Sequence, residues 1–268
     1  MKISIIVPAF NEEQFLGKTL AQIKAAAGAL ANTGWGTELI VCDNNSTDRT
    51  AEIARAAGAN VVFEPVNQIS RARNSGAAAA TGDWLVFVDA DSHPSAGVFA
   101  DMAKEIQSGN CIAGGATIRW DQKLFIIELL TPLVNLGFRW RRMLSGAFIF
   151  IETAAFRNLG GFSNEAFGGE DVEFARRLKH LARTTRKRFV ILHRHPVVTS
   201  ARRMRLYTAR QQIGQFRLLY YIIFDPHHAT KDREAARIWY AGPRPALAGN
   251  EVGSQSKKQR MITTWTSN

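Results

Sequence analysis

The stretch Leu85-Val86-Phe87-Val88-Asp89-Ala90-Asp91 joins a short apolar run to two closely spaced acidic residues. A continuous apolar run of this length is typical of a strand that is buried on both faces of a sheet. Three earlier apolar runs also end in polar residues: Ile3–Val7 before Asn11 and Glu12, Leu39–Cys42 before Asp43, and Val61–Phe63 before Asn67. These four runs decide the expected fold.

Helical periodicity fills the segments between these runs. Asn11 is a candidate cap for a helix with apolar positions from Leu16 to Leu30, and further helices are expected from about Thr47 to Gly58 and from Ser70 to Ala80. Strands that alternate with helices predict parallel βαβ units with helices on both faces of the sheet. Because the carboxyl ends of parallel strands share one edge, we expect the polar segments to meet in one ligand-binding crevice.

The pattern is less regular after about residue 110. Leu124–Phe150 is apolar but interrupted by Pro132 and Gly137, which favours core helices, with docking on a membrane surface as the alternative. Further along the chain we expect a helix from Val172 to Leu181, short strands at 189–192 and 197–198, and a loose tail at 243–268.

The composition excludes several classes of protein. The 268 residues are 46% hydrophobic and 21% charged, which is enough for a core of one large domain or two small ones. The sequence contains no run of 18 uncharged apolar residues, which would indicate a membrane span. Its first residues lack the pattern of a signal peptide. Cys42 and Cys111 have no metal-binding spacing, which favours a cytoplasmic protein over a secreted mini-protein or a zinc finger.

The net charge of +11 comes from one stretch of the chain. Between Arg176 and Arg217 lie thirteen of the 34 Lys and Arg residues and no Asp or Glu. Such a stretch is either a solvated basic face or a surface for an anionic ligand, an acidic membrane or nucleic acid.

Asp89 and Asp91 are candidate metal ligands. At positions i and i+2 of an extended segment their carboxylates point the same way, and a hard divalent cation would relieve their repulsion. Mg²⁺ or Mn²⁺ typically takes one or two carboxylates together with phosphate oxygens of a substrate. The alternative is a solvated acidic turn. Neither a Gly-x-Gly-x-x-Gly motif nor a P-loop is present, so bound phosphates would depend on the metal and on Arg71 and Arg73.

Four ordered blocks resemble those of family 2 glycosyltransferases with the GT-A fold. They are Val7–Glu12, Val41–Thr50, Ala72–Gly76 and Asp89–Asp91, and Gly169-Glu170-Asp171 resembles the acidic motif of the acceptor half. The resemblance covers about residues 1–225. It implies an α/β fold with a mostly parallel, Rossmann-like sheet, divided into a donor half (1–115), an acceptor half (116–242) and a tail (243–268).

The resemblance also implies an activity and a set of site residues. A sugar would move from a nucleotide diphosphate donor, UDP more often than GDP, to an acceptor hydroxyl with inversion. Pro8, Phe10 and Glu12 would line the nucleoside pocket, and Asp43 would hydrogen-bond the base. Arg73 would lie near the donor, and Asp89 and Asp91 would hold the ribose and the metal–diphosphate. Asn44-Asn45 replaces the usual acidic and glycine residues, which leaves the base open.

Asp171 is the candidate general base, with Glu170 as its acceptor-side neighbour. Inverting transfer needs a carboxylate that takes the proton of the acceptor hydroxyl. The start of a helix behind two glycines favours an ionised carboxylate that a ligand can approach, although acidic residues at this position also serve as plain helix caps.

Downstream residues complete the expected site. The resemblance also implies a further metal ligand downstream of the acidic motif. His193 and His195 would point the same way from a strand, and His195 is the better candidate for this ligand. Arg202 and Arg203 could neutralise the leaving diphosphate. Trp120 and Trp140 are either sugar-stacking or core residues.

Two other functions stay open on the sequence alone. A nucleotidyltransferase also pairs Asp residues with Mg²⁺, but a Gly-rich basic loop is expected after its first strand, where Phe10-Asn11-Glu12-Glu13 stands here. A nucleic-acid-binding module could use the stretch 176–217, which has few aromatic residues. For the glycosyltransferase we expect a saccharide or lipid-linked acceptor, no nucleic acid, and a cytoplasmic location that could include contact with the inner face of a membrane.

Overall fold

The computed structural model describes residues 1–122, 125–165 and 169–202. Its strands are β1 (Lys2–Ala9), β2 (Gly36–Asp43), β3 (Asn60–Phe63), β4 (Trp84–Phe87), β5 (Ser92–His93), β6 (Cys111–Trp120), β7 (Ile149–Glu152) and β8 (Arg188–Thr199). Its α-helices are α1 (Leu16–Ala27), α2 (Thr50–Ala56), α3 (Ile69–Ala78), α4 (Ala96–Gln107), α5 (Phe125–Arg141), α6 (Thr153–Asn158) and α7 (Glu170–Thr184), and a 3-10 helix follows α1 at Gly28–Thr33.

All eight strands form one mixed sheet in the order β3-β2-β1-β4-β7-β6-β8-β5. The pairs β3–β2, β2–β1 and β1–β4 are parallel, which confirms the expected βαβ units. Strand β7 is antiparallel to both β4 and β6, and β5 is antiparallel to β8. The sheet therefore runs without a break from the predicted donor half into the predicted acceptor half.

Helices cover both faces of the sheet because the central strands are apolar on both sides. Seven of the eight residues of β1 are buried. One core cluster joins β1 to α1 and α4, and includes Leu20, Val86 and Phe99. The other joins the opposite face to α3, α6 and α7, and includes Phe87 and Phe174.

Three local expectations were wrong. Helix α1 begins at Leu16, not after Asn11, whose φ of 51° and hydrogen bond from Thr47 N (2.8 Å) place it in a loop. Helix α2 begins at Thr50, because residues 44–49 form the loop that follows β2. Residues 188–199 are one bulged strand instead of two short ones, since its polar positions 193–195 face solvent without leaving the sheet.

The apolar stretch after residue 124 contributes one long helix, α5, which contains Pro132, and then strand β7. The boundary expected at 115/116 falls inside β6, so the division into halves stays a functional prediction. The expected tail at 243–268 and Arg203 lie outside the described residues. In the part of the chain that the structure describes, no helix has the length and apolar character needed to cross a bilayer.

Candidate active site

The carboxyl ends of three neighbouring strands are held side by side. Asn44 N, just after β2, donates to Ala9 O at the end of β1 (2.8 Å), and Val88 N, just after β4, donates to Ile6 O (3.0 Å). Asp43 is paired with Ala9 in the sheet register. The polar segments therefore meet along one edge, as the alternation of strands and helices predicts.

Arg73 connects this edge to the start of α7. Its side chain is 1% exposed and donates to Asp89 Oδ1 (2.8 Å) and to Glu170 Oε1 (2.7 Å), while its guanidinium lies 5.3 Å from the ring centroid of Phe162. Burial lowers the pKa of Arg73, but the carboxylates of Asp89 and Glu170 outweigh it and hold the pKa above its ordinary value. A charged guanidinium therefore stays fixed between residues of the two halves.

Gly146 makes room for this ion pair. A Cβ at this position would lie 2.3 Å from Arg73 Nη2 and 2.8 Å from Asp89 Oδ2. A side chain at position 146 would therefore force the Arg73–Asp89 pair to shift. Gly146 was not among the residues selected from the sequence, because no motif distinguishes it from an ordinary loop glycine.

Arg202 makes a second bridge on the same edge. It donates to Glu12 Oε1 (2.5 Å) and lies 3.2 Å from Asp91 Oδ2. Its guanidinium stacks over the ring of Phe15 at 4.5 Å from the centroid, a contact that no sequence motif predicts. Glu12, Asp91 and Arg202, all selected from the sequence as site residues, thus form one cluster.

The residues predicted to line a nucleoside pocket lie at the ends of β1 and β2. Pro8 is buried in β1 and Phe10 is half-buried directly after it. Asp43 is buried, and its Oδ1 accepts a hydrogen bond from Ser46 N (3.1 Å), which fixes the loop after β2.

Asn44 has a structural role in this loop. Its Nδ2 donates to Val66 O (2.6 Å) and its Oδ1 accepts from Gln68 N (2.9 Å). The side chain therefore fastens the β3–α3 connection to the end of β2. This accounts for an amide at the first of the two positions that depart from the family pattern.

Asp171 is the second residue of α7, and the residue that precedes the helix is Gly169, whose φ of 69° is readily accessible only to glycine. Burial raises the pKa of the Asp171 carboxyl, the Glu170 carboxylate raises it further, and Arg73 lowers it, with a result of about 7. The expectation of a fully ionised carboxylate rested on the helix N-terminus alone. Near neutral pH, both forms of this half-buried side chain are populated.

His195 contacts helix α4 in the structure. Its Nδ1 is 2.9 Å from Asp101 Oδ2 on α4, and its ring packs on Gly97. Neither of these contacts involves Asp89 or Asp91, and the role of His195 as a metal ligand stays a prediction. His193 is exposed on β8.

The other residues selected from the sequence have peripheral positions. Arg71 donates to Gln68 Oε1 (3.1 Å) and does not share the buried position of Arg73. Trp120 packs partly buried against the core, whereas Trp140 is 77% exposed.

The carboxylate oxygens available here suit a hard divalent cation that also binds a substrate. Asp89 and Asp91 offer carboxylate oxygens with 29% and 13% of their side chains exposed. Among the described residues no cluster of three or more His, Cys, Asp and Glu could hold a metal by itself. A cation here would complete its shell with phosphate oxygens and water, as Mg²⁺ commonly does.

Comparison with known proteins agrees with this arrangement. The family model "Glycosyl transferase family 2" matches residues 4–162. An uncharacterized glycosyltransferase of Mycobacterium tuberculosis is 34% identical over 113 residues, which are 42% of this chain and 47% of that protein. The chain thus spans about half the length of the curated relatives that it matches.

Solved structures share the fold. The mannosyltransferase PcManGT of Pyrobaculum calidifontis, in complex with GDP-Man and Mn²⁺, superposes with a TM-score of 0.61 at 19% identity, over 91% of this chain and 76% of that one. S. aureus TarS in complex with UDP-GlcNAc gives a TM-score of 0.55 at 21% identity, over 89% and 72% of the two chains. These likenesses show a GT-A type fold, and the family match covers more than half of the sequence. The chain belongs to glycosyl transferase family 2.

Proposed function

We propose that this protein transfers a sugar from a nucleoside diphosphate donor to an acceptor hydroxyl with inversion at the anomeric carbon. The observation that carries the proposal is the bridge through Arg73, because it links Asp89 on the proposed donor side to Glu170 beside the proposed base. A donor and an acceptor bound on the two sides of this bridge would be neighbours.

On the donor side, Pro8, Phe10, Glu12 and Asp43 would form the nucleoside pocket. Asp89 would bind the ribose, and Arg202 would lie near the diphosphate. We favour a uridine over a guanosine donor. One structural neighbour binds UDP-GlcNAc and another GDP-Man, so the fold is compatible with both bases.

Asp89 and Asp91 would hold Mg²⁺ or Mn²⁺, which when bound neutralises charge on the leaving diphosphate. Two structural neighbours were solved with Mn²⁺, which supports a divalent cofactor. In the structure the Arg202 guanidinium lies 3.2 Å from Asp91 Oδ2, so a bound cation would share this carboxylate with Arg202.

On the acceptor side, Asp171 would act as the general base. The acceptor oxygen forms a bond to the anomeric carbon as its proton passes to an Asp171 carboxylate oxygen. The bond from the anomeric carbon to the diphosphate breaks, and its electron pair leaves with the diphosphate. A pKa of about 7 suits a base that works near neutral pH. The acceptor would be a saccharide or a lipid-linked hydroxyl.

A thermal-shift panel tests the proposed donor class. We expect UDP with Mn²⁺ to raise the melting temperature most, GDP less, and either nucleotide without metal least. Incubation with UDP-sugars should then release UDP. The alternative function, nucleotidyl transfer, would instead give pyrophosphate release from a nucleoside triphosphate, and that result would refute the proposal.

A further inference from the structure

Helix α5 exposes an apolar stripe on the side that faces away from the sheet. Leu133, Leu136 and Trp140 are 65%, 58% and 77% exposed. Spacings of three and four residues place the three side chains on one side of the helix. We call these residues the α5 stripe.

The opposite side of α5 is attached to the sheet. Asn135 accepts a hydrogen bond from Ile118 N (3.1 Å) and donates to Ile118 O (2.9 Å), and Phe138 packs against the core. The orientation of the helix is therefore fixed by contacts, and the exposure of the α5 stripe follows from it.

A cationic groove of about 650 Å³ begins where the α5 stripe ends. Its lining includes Trp140, Arg141, Arg142, Lys179, Arg183 and Lys187. Lys187 is paired with Glu152 at 2.9 Å. Burial lowers the pKa of Lys179, and repulsion from Arg141 and Arg183 lowers it further, which indicates a positive potential in the groove.

The groove lies away from the candidate active site. Lys179 and Arg183 follow Asp171 on α7 by eight and twelve residues, which corresponds to roughly 12 and 18 Å along the helix axis. Arg188, next to Lys187, pairs with Cys111 at the start of β6, at the edge opposite the strand ends described above.

We propose that the α5 stripe and the cationic groove together dock this protein on an anionic lipid bilayer. Apolar side chains of an interfacial helix enter the boundary of the acyl chains, and neighbouring Lys and Arg side chains face the anionic headgroups. A stripe that leads into a cationic groove presents both elements on one surface.

Charge complementarity distinguishes this occupant from others. Residues 203–268 carry eleven Lys and Arg against four Asp and Glu, so this segment is itself basic and would be repelled by the groove. A second copy of the chain, with a net charge of +11, has the same disadvantage. Nucleic acid would match the groove but would leave the two exposed leucines without a role.

Vesicle co-sedimentation of the full chain tests the proposal. The vesicles contain phosphatidylcholine alone or phosphatidylcholine mixed with phosphatidylglycerol. The variants are Leu133→Ser/Leu136→Ser in the stripe and Arg141→Gln/Arg183→Gln in the groove. Arg55→Gln/Lys104→Gln, which removes two exposed charges from α2 and α4, is the matched control.

We expect the wild type to sediment with the anionic vesicles only. Each of the first two variants should lower the partition coefficient roughly tenfold or more, and the control should leave it unchanged. Binding to neutral vesicles, absence of binding, or equal loss in the control would overturn the proposal. The proposal would also be overturned if the stripe variant bound vesicles like the wild type while the groove variant lost binding to RNA. Thermal stabilisation by nucleotide, measured on the same samples, tests the proposed function separately.

Discussion

The carboxylates of Asp89 and Glu170 hydrogen-bond to one buried guanidinium, that of Arg73, from segments far apart in the sequence. The Arg73 side chain therefore contributes to the stability of the fold and is also part of the proposed site. Its two roles can be measured separately.

Arg73→Met should be strongly destabilising. Removal of the guanidinium leaves Glu170, whose side chain is 10% exposed, and Asp89 without their shared cation, which we expect to cost about 3–5 kcal/mol. Urea denaturation measures this loss. Arg71→Met is the control on the same helix, because Arg71 contacts the neutral side chain of Gln68. Equal losses of stability in the two variants would show that the buried Arg73 bridge contributes no more than the contact of Arg71 with Gln68.

Gly146→Ala should weaken both stability and nucleotide binding. The new Cβ would lie 2.3 Å from Arg73 Nη2, so the ion pair must shift, at a cost of about 1–3 kcal/mol. Gly137→Ala is the matched control, since a Cβ there meets nothing within 4 Å and alanine favours the helix. If Gly146→Ala were as stable as the wild type, the packing around Arg73 would be looser than the structure shows.

The stability of the protein should depend on pH through Glu38. Burial raises the pKa of its carboxyl, but contacts with Lys2, Ser4 and Thr81 outweigh this and lower the pKa to about 2. A lowered pKa in the folded state stabilises the protein above the ordinary pKa of Glu, and this contribution is lost as the pH falls toward 2. Glu38→Gln should therefore cost on the order of 2 kcal/mol at pH 7 and progressively less below pH 4.

The control for this pH series is Glu52→Gln, because the Arg49–Glu52 pair lies on the surface with more than half of each side chain exposed. Exposed pairs contribute little. A constant cost of Glu38→Gln from pH 7 to pH 3 would contradict the assignment.

Transfer activity should rise with pH through neutrality. Asp171 must be ionised to accept a proton, and its pKa is raised to about 7, so kcat/KM should increase between about pH 6 and pH 8 and then level off. An initial-rate pH profile with Mn²⁺ and the UDP-sugar below its KM provides the measurement. A flat profile over this range would argue against Asp171 as the base.

Sequence periodicity was sufficient to predict the parallel half of the sheet. Strands β1 to β4 are apolar on both faces, so their positions and the edge at which Asp43 and Asp89 lie follow from local pattern. The start of α1 did not follow, because the left-handed backbone of Asn11 depends on its hydrogen bond with Thr47 in the next loop.

Long-range contacts within the site could not be derived from the sequence. Arg73 was selected as a donor-side residue, but a partner at Glu170 depends on how α7 packs against α3. Gly146 and Phe15 belong to no recognisable sequence motif. His195 was selected from the resemblance and from strand alternation, and neither of these predicts its contact with Asp101 on α4.

The most direct test of the account compares UDP affinity with turnover of a UDP-sugar, both in the presence of Mn²⁺, for the wild type, Asp171→Asn and Asp91→Ala. Asp171→Asn should bind UDP like the wild type but release UDP from the donor at least about 100-fold more slowly. Asp91→Ala should lose affinity and turnover together. Wild-type turnover by Asp171→Asn would contradict the central claim that this carboxylate takes the acceptor's proton.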